Sequence, residues 1–158
     1  MTMPTNGKAT RTRSVFRMEV AVSINVNAAP EKLWALLTNA EEFPKWNSMV
    51  QSIEGTIALG ETIKLKAPYA PGRTFKLKVR EFAPNKAMLW QDGAAPMFMG
   101  SRHYALEPRS NGTTDFTMAE TYSGLMLPMI VGSLPDLSHS FEQYAADLKR
   151  EAEKSNTN

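Results

Sequence analysis

Six strand-like segments follow one another through the middle of the chain, at residues 50–54, 62–67, 74–82, 87–92, 98–107 and 113–123, with no helical period between them. Parallel neighbours would need crossovers of a dozen or more residues, so short connections of this kind imply an antiparallel meander. Upstream, Phe16, Met18, Val20, Val22, Ile24 and Val26 alternate with Arg17, Glu19, Ala21, Ser23 and Asn25, which is the clearest strand in the sequence. With it, the expected sheet has seven strands. Asn111-Gly112 supplies the turn of the last hairpin.

Helical signals flank this block on both sides. Asn27 marks a boundary, and Pro30 suits a first helical turn because its missing N–H would have had no intrahelical partner. Leu33, Trp34, Leu36 and Leu37 then form one apolar face, and a second short helix over residues 40–46 carries Phe43 and Trp46, made irregular by Pro44. After Gly124 the period changes. Leu134, Leu137, Phe141, Tyr144 or Ala145, and Leu148 recur at three- and four-residue steps, while Glu142, Asp147, Lys149, Arg150 and Glu151 fall off that stripe. This predicts a long C-terminal helix of about five turns, with a break near Pro135.

At 158 residues the chain fits a single domain able to bury roughly 70% of its unfolded surface. It has no cysteine, and His103 and His139 lack metal-ligand spacing, so neither a metal nor another cofactor is expected. Both histidines also fall out of phase with the apolar stripes beside them. Residues 1–14 are polar and without an apolar stretch, which predicts a disordered tail, with residues 155–158 a disordered end and 15–154 the domain. The longest apolar run, residues 125–131, is far short of the ~20 needed to cross a bilayer, so no stable membrane insertion and a cytoplasmic location are expected.

Setting aside Lys8, Arg11 and Arg13 of the tail leaves 15 basic against 16 acidic side chains, a balance that argues against nucleic acid as a partner. Lys64, Lys66, Lys76, Lys78 and Arg80 alternate with Ile63, Leu65, Phe75, Leu77 and Val79 and are expected on the outer face of two neighbouring strands. A solvated sheet face accounts for them, as does an anionic partner or membrane surface.

Val26-Asn27-Ala28-Ala29-Pro30-Glu31-Lys32-Leu33-Trp34, then Phe43-Pro44-Lys45-Trp46, then Glu120-Thr121-Tyr122-Ser123-Gly124 leading into the final helix, resemble the START-like helix-grip superfamily over residues 15–154. That group includes the major birch pollen allergen, lipid-transfer START domains and polyketide cyclase/dehydrase-like bacterial proteins. The resemblance implies an α+β fold: a seven-stranded antiparallel sheet curved around the C-terminal helix, two short helices after the first strand, and a cavity between sheet and helix. Members bind lipids, hormones or polyketides, catalyse cyclisation or assist chaperones, so the site must carry the functional argument.

If Leu106 and Phe116 pair across the last hairpin, antiparallel register sets Tyr104 opposite Met118 and Arg102 opposite Glu120, facing inward. Arg102 and Glu120 are then either a satisfied ion pair at the open end of the sheet or the polar anchor of a ligand site, with the Tyr122 hydroxyl on the same face. Trp46, Phe75 and Trp90 are expected as aromatic wall. Ten methionines, Met118 and Met129 among them, suit irregular space that is either core or cavity. The apolar segments 94–100 and 125–131 serve as entrance, buried loop or homodimer contact.

Binding or transport of a hydrophobic small molecule, such as a lipid, polyketide-like compound or terpenoid, is the expectation that follows. Two alternatives stand beside it: a polyketide cyclase/dehydratase-like enzyme using Glu120 as acid or base, with Tyr122 or Arg102 stabilising an enolate oxygen, and a chaperone-associated interaction module.

Overall fold

The computed structural model describes residues 3–154. Its elements are β1 (Thr10–Arg13), β2 (Arg17–Val26), α1 (Pro30–Thr38), α2 (Phe43–Trp46), β3 (Ser52–Glu54), β4 (Thr62–Lys66), β5 (Phe75–Ala83), β6 (Ala87–Ala94), β7 (Phe98–Pro108), β8 (Thr114–Ser123), α3 (Leu127–Ile130), a short 3-10 turn (Val131–Ser133) and α4 (Ser138–Ala152). All the strands join one antiparallel sheet in the order β1-β2-β8-β7-β6-β5-β4-β3, curved around α4.

The sheet has eight strands rather than the expected seven. The extra one, β1, lies in the segment expected to be a disordered tail. It pairs with β2 from Thr10↔Ala21 to Arg13↔Met18, and the Gly7 amide donates to the Ser23 carbonyl at 2.9 Å. Its sequence, Thr-Arg-Thr-Arg, is exposed along its whole length, so it carries no apolar phase by which alternation could reveal it. Backbone hydrogen bonds hold it, and it covers the edge that β2 would otherwise present. The expected disordered end, residues 155–158, lies outside the described residues.

The inner phases of the strands meet α1, α2 and α4. Val20, Val22 and Val26 of β2, Met88 and Trp90 of β6, Tyr104 and Leu106 of β7, and Phe116 and Met118 of β8 are all buried against Phe141, Tyr144, Ala145 and Leu148 of α4. The hairpin register is the expected one: Leu106↔Phe116, Tyr104↔Met118 and Arg102↔Glu120. Of the turn pair Asn111-Gly112, only Gly112 takes a positive φ, at 86°.

Two helices are shorter than their sequence pattern suggests. The second is confined to Phe43–Trp46, because Pro44 fits only the first turn of a helix. Helix α4 has 15 residues, about four turns, and begins where Asp136 Oδ1 accepts from the Ser138 amide at 3.0 Å, leaving Leu134 and Pro135 in the preceding loop.

Asp147, off the apolar stripe in the sequence, is buried at 1% exposure. Its carboxylate accepts from the Ser48 amide (2.8 Å) and hydroxyl (2.6 Å), from Gln143 Nε2 (2.9 Å) and from Arg150 Nη1 (2.8 Å), which ties the loop after α2 to the middle of α4. Burial alone would raise this carboxyl's pKa; the Ser48, Gln143 and Arg150 donors outweigh it and hold the group below the usual aspartate range.

Replacing Asp147 with Ala strands the Ser48 amide, and denaturant unfolding should show a loss of about 2–4 kcal/mol. The exposed Glu107→Ala control should leave the midpoint unchanged. Because the folded-state pKa is depressed, the contribution is present above the unfolded value of about 4 and is lost as pH falls through the folded one. The gap between wild type and variant should therefore narrow in acid; a pH-independent gap would contradict the ionic role.

Candidate functional site

The interior enclosed by the sheet divides into a solid half packed against α4 and a hollow half closed by the β4–β5 loop and residues 133–135, so the cavity expected between sheet and C-terminal helix lies beside that helix, with none of its residues in the lining. In the solid half aromatic rings fill the interior: Trp90 and Tyr104 lie 4.8 Å apart between centroids, Phe116 stacks on Tyr144 at 6.4 Å, and Phe43 contacts Trp46 at 4.8 Å. The Tyr104 and Tyr144 hydroxyls meet at 3.2 Å, so neither polar tip is left unpaired there. Toward the opposite ends of β6, β7 and β8, beyond α4's first turn, a cavity of about 270 Å³ opens. An apolar cavity of ~150 Å³ already admits benzene.

Arg102 and Glu120 form its floor, cross-strand partners with Nε donating to Oε2 at 3.0 Å. Arg102 is 8% exposed and its guanidinium lies 5.1 Å from the centre of the Phe141 ring at the start of α4. The bond to Glu120 uses Nε, and a guanidinium has further N–H groups to offer on the cavity side. Burial pushes the Glu120 carboxyl upward; Arg102 opposes the shift, and Asp92 adds to it. Arg102 stays charged throughout, held there by Glu120 against the cost of its own burial.

Leu65, Phe75, Leu77, Trp90 and Phe98 line the walls, and Tyr122, in phase with Glu120 on β8, stacks on Phe98 with centroids 5.8 Å apart. Burial, then the neighbouring Glu120 charge, raises the Tyr122 hydroxyl's pKa, so it enters the cavity as a neutral donor. Asp92 of β6 also reaches the cavity, its carboxyl pushed up by burial against the pull of Arg73 and the Gly100 amide. Gly100 faces inward between Asp92 and Tyr122, with which it is paired on either side. A Cβ there would lie 2.8 Å from Asp92 Oδ1 and 3.6 Å from the Tyr122 ring. The missing side chain is part of what keeps the space open.

Five of the sequence-predicted site residues line the cavity: Phe75, Trp90, Arg102, Glu120 and Tyr122. Four do not. Trp46, Tyr104 and Met118 are buried in the solid half, and Met129 is 77% exposed on α3. Tyr104 and Met118 are in the right phase but lie deeper along their strands than the floor, where Tyr144 and Phe116 leave no space. Several wall residues were not anticipated. Tyr69 and Arg73 come from the aperiodic loop between β4 and β5, and Ser133, Leu134 and Pro135 from the segment before α4. Asp92 and Gly100 were legible in principle, being in phase with Trp90 and Arg102.

The sequence model of the family described as polyketide cyclase / dehydrase and lipid transport matches residues 17–153. No curated protein matches. Among solved structures, a conserved protein of unknown function from Enterococcus faecalis is similar at a TM-score of 0.67 and 14% identity, covering 98% of this chain and 82% of that one. The START superfamily protein from Mycobacterium smegmatis is similar at 0.62 and 17%, covering 85% and 97%. The Aha1 dimer from Colwellia psychrerythraea is similar at 0.64 and 21%, covering 87% and 98%. At these identities the likeness establishes the fold.

The floor makes a stability prediction of its own. Arg102→Met leaves a buried carboxylate alone and should destabilise the protein by about 3–5 kcal/mol, whereas adding Glu120→Leu should restore most of the loss. If the double variant unfolds as easily as the single one in a denaturant titration, the two charges are not compensating one another.

Proposed function

This chain belongs to the polyketide cyclase / dehydrase and lipid transport family, and on that premise we propose that it binds a hydrophobic small molecule in the cavity between the sheet and the loops that precede β5 and α4. A lipid, polyketide-like or terpenoid compound would fit, its body against Phe75, Trp90, Phe98, Leu65 and Leu77 and its polar end at Arg102, Glu120 and Tyr122. The observation that carries this reading is the contrast within one space: a 270 Å³ void walled by Leu65, Phe75, Leu77, Trp90 and Phe98, with Asp92 and Arg73 at its side, that ends on a buried ion pair. Apolar burial supplies affinity, and a few convergent polar groups fix orientation. Arg102 and Glu120 already neutralise one another, so the polar end best suited to this floor is uncharged, a carbonyl or hydroxyl that takes an N–H from Arg102 or the O–H of Tyr122. A charged end would add an uncompensated ion to the enclosure.

A second reading has its own support. Glu120, shifted upward by burial and reaching the same enclosure as a neutral Tyr122, is suited to move a proton at a carbon next to a carbonyl, with Arg102 or Tyr122 donating to the developing enolate oxygen. In this cyclase/dehydratase-like chemistry Glu120→Gln should abolish turnover of a candidate polyketide while leaving its binding intact. Unchanged turnover would remove Glu120 from the mechanism.

Binding is tested by filling the void. Gly100→Val places methyl groups between Asp92 and Tyr122, and displacement of a hydrophobic fluorescent dye should show affinity falling at least about tenfold. Circular dichroism should show the variant still folded. Full dye affinity in the folded variant would mean that the cavity is not the binding site, and native mass spectrometry of wild type should detect a co-purifying apolar compound.

A further inference from the structure

Among the described residues six large apolar side chains stand exposed, and five of them, Val15, Phe16, Met97, Leu125 and Met129, gather at one end of the molecule. They come from three separate segments: the β1–β2 turn, the β6–β7 turn and the stretch from β8 into α3. Backbone bonds join these segments to one another. The Gly124 amide donates to the Phe16 carbonyl at 3.1 Å, the Leu125 amide to the Pro96 carbonyl at 2.9 Å and the Met126 amide to the Met97 carbonyl at 2.9 Å. At Gly124, φ is +126° and a Cβ would sit 2.3 Å from the Met97 carbonyl oxygen, so no other residue permits this approach. The exposed apolar groups are therefore held as one fixed tip.

The tip lies at the hollow end. Phe98 and Tyr122, which line the cavity, immediately precede or follow its segments by one or two residues, and Ser133, Leu134 and Pro135 of the cavity wall follow α3. Its charge is one-sided: the strand ends and turn at residues 11–17 contribute Arg11, Arg13 and Arg17 and no acid, while residues 93–101 and 123–135 carry no charge at all. The acids beside it, Asp136 and Glu19, hold Arg11 at 3.7 Å and Arg17 at 2.8 Å through exposed contacts. Apolar groups projecting from turns, flanked on one side by long basic side chains, match a bilayer interface, where the apolar parts enter the acyl boundary and the cations meet anionic headgroups.

We infer that this tip docks the protein on the surface of an anionic lipid bilayer with the cavity mouth turned toward the lipid. Docking is peripheral, since no helix among the described residues is long and apolar enough to cross a membrane. It extends the proposed ligand binding by giving an apolar guest a route that avoids water, but the surface stands on its own observations.

Flotation of the full chain with vesicles containing about a quarter anionic lipid should recover it in the lipid fraction, and recovery should fall with added salt and on purely zwitterionic vesicles. A Phe16→Ser, Leu125→Ser, Met129→Ser variant, altered only at exposed positions, should lose at least about tenfold in vesicle affinity and keep wild-type melting and dye binding. Phe16→Trp emission should shift to the blue on vesicles. Absence of flotation, or flotation indifferent to the triple variant, overturns the inference. So does a wild-type dimer that the triple variant converts to monomer without vesicle binding, which would make the tip a self-association face. Dye binding is read in the same samples, so loss of docking with dye binding intact leaves the cavity proposal standing, and the reverse result leaves the docking surface standing.

Discussion

The Arg102–Glu120 pair is the interaction on which the interior turns. Two opposite charges sit under cover of a sheet and a helix, and each is tolerable only because the other is there. The pair marks a boundary in the interior enclosed by the sheet. On one side, Tyr104, Phe116 and Tyr144 fill the interior with rings; on the other, Gly100 withholds a side chain and the walls stand apart, with Trp90 at the boundary touching both. A void that ends on charges is not merely imperfect packing. It is a surface with two characters, an apolar side of Leu65, Phe75, Leu77, Trp90 and Phe98 and a polar side where Asp92, Arg73 and Tyr122 adjoin the ion pair.

Curvature explains why the division falls where it does. The single antiparallel sheet wraps a helix of only 15 residues, so its strands run past the first turn of α4. Beyond that point the inner faces of β6, β7 and β8 are covered by loops, residues 133–135 before α4 and Tyr69 to Arg73 between β4 and β5. The same strand ends lead into the turns that carry Met97 and Leu125, so the hollow end is also the end with the most exposed apolar groups. Binding and surface contact would share one origin in the fold.

Much of this was legible in alternation. The inward phase of β7 and β8 gave the register Arg102↔Glu120 from residue order alone, because a side-chain period of two leaves few ways to pair a hairpin whose turn is fixed at Asn111-Gly112. What alternation cannot reveal is depth along a strand: Tyr104 and Met118 share the phase of Arg102 and Glu120 yet lie in the packed half. It is also silent where backbone bonds rather than apolar phase hold an element, as for β1, and in aperiodic loops with paired prolines, as for Tyr69 between Pro68 and Pro71. Asp147 was obscured because the partner that buries it, Ser48, is remote in sequence, while Gln143 and Arg150 one helical turn away read as an ordinary exposed polar face.

The central claim is that the hollow half takes an apolar guest, and Trp90 reports on it from the cavity wall while Trp34 and Trp46 sit in the packed core. Titrating the protein with a bromine-bearing, uncharged apolar alcohol or ketone should quench its tryptophan emission saturably, an unlabelled analogue should reverse the effect, and Trp90→Phe should abolish it. Quenching that never saturates, or that persists undiminished in Trp90→Phe, would contradict the account.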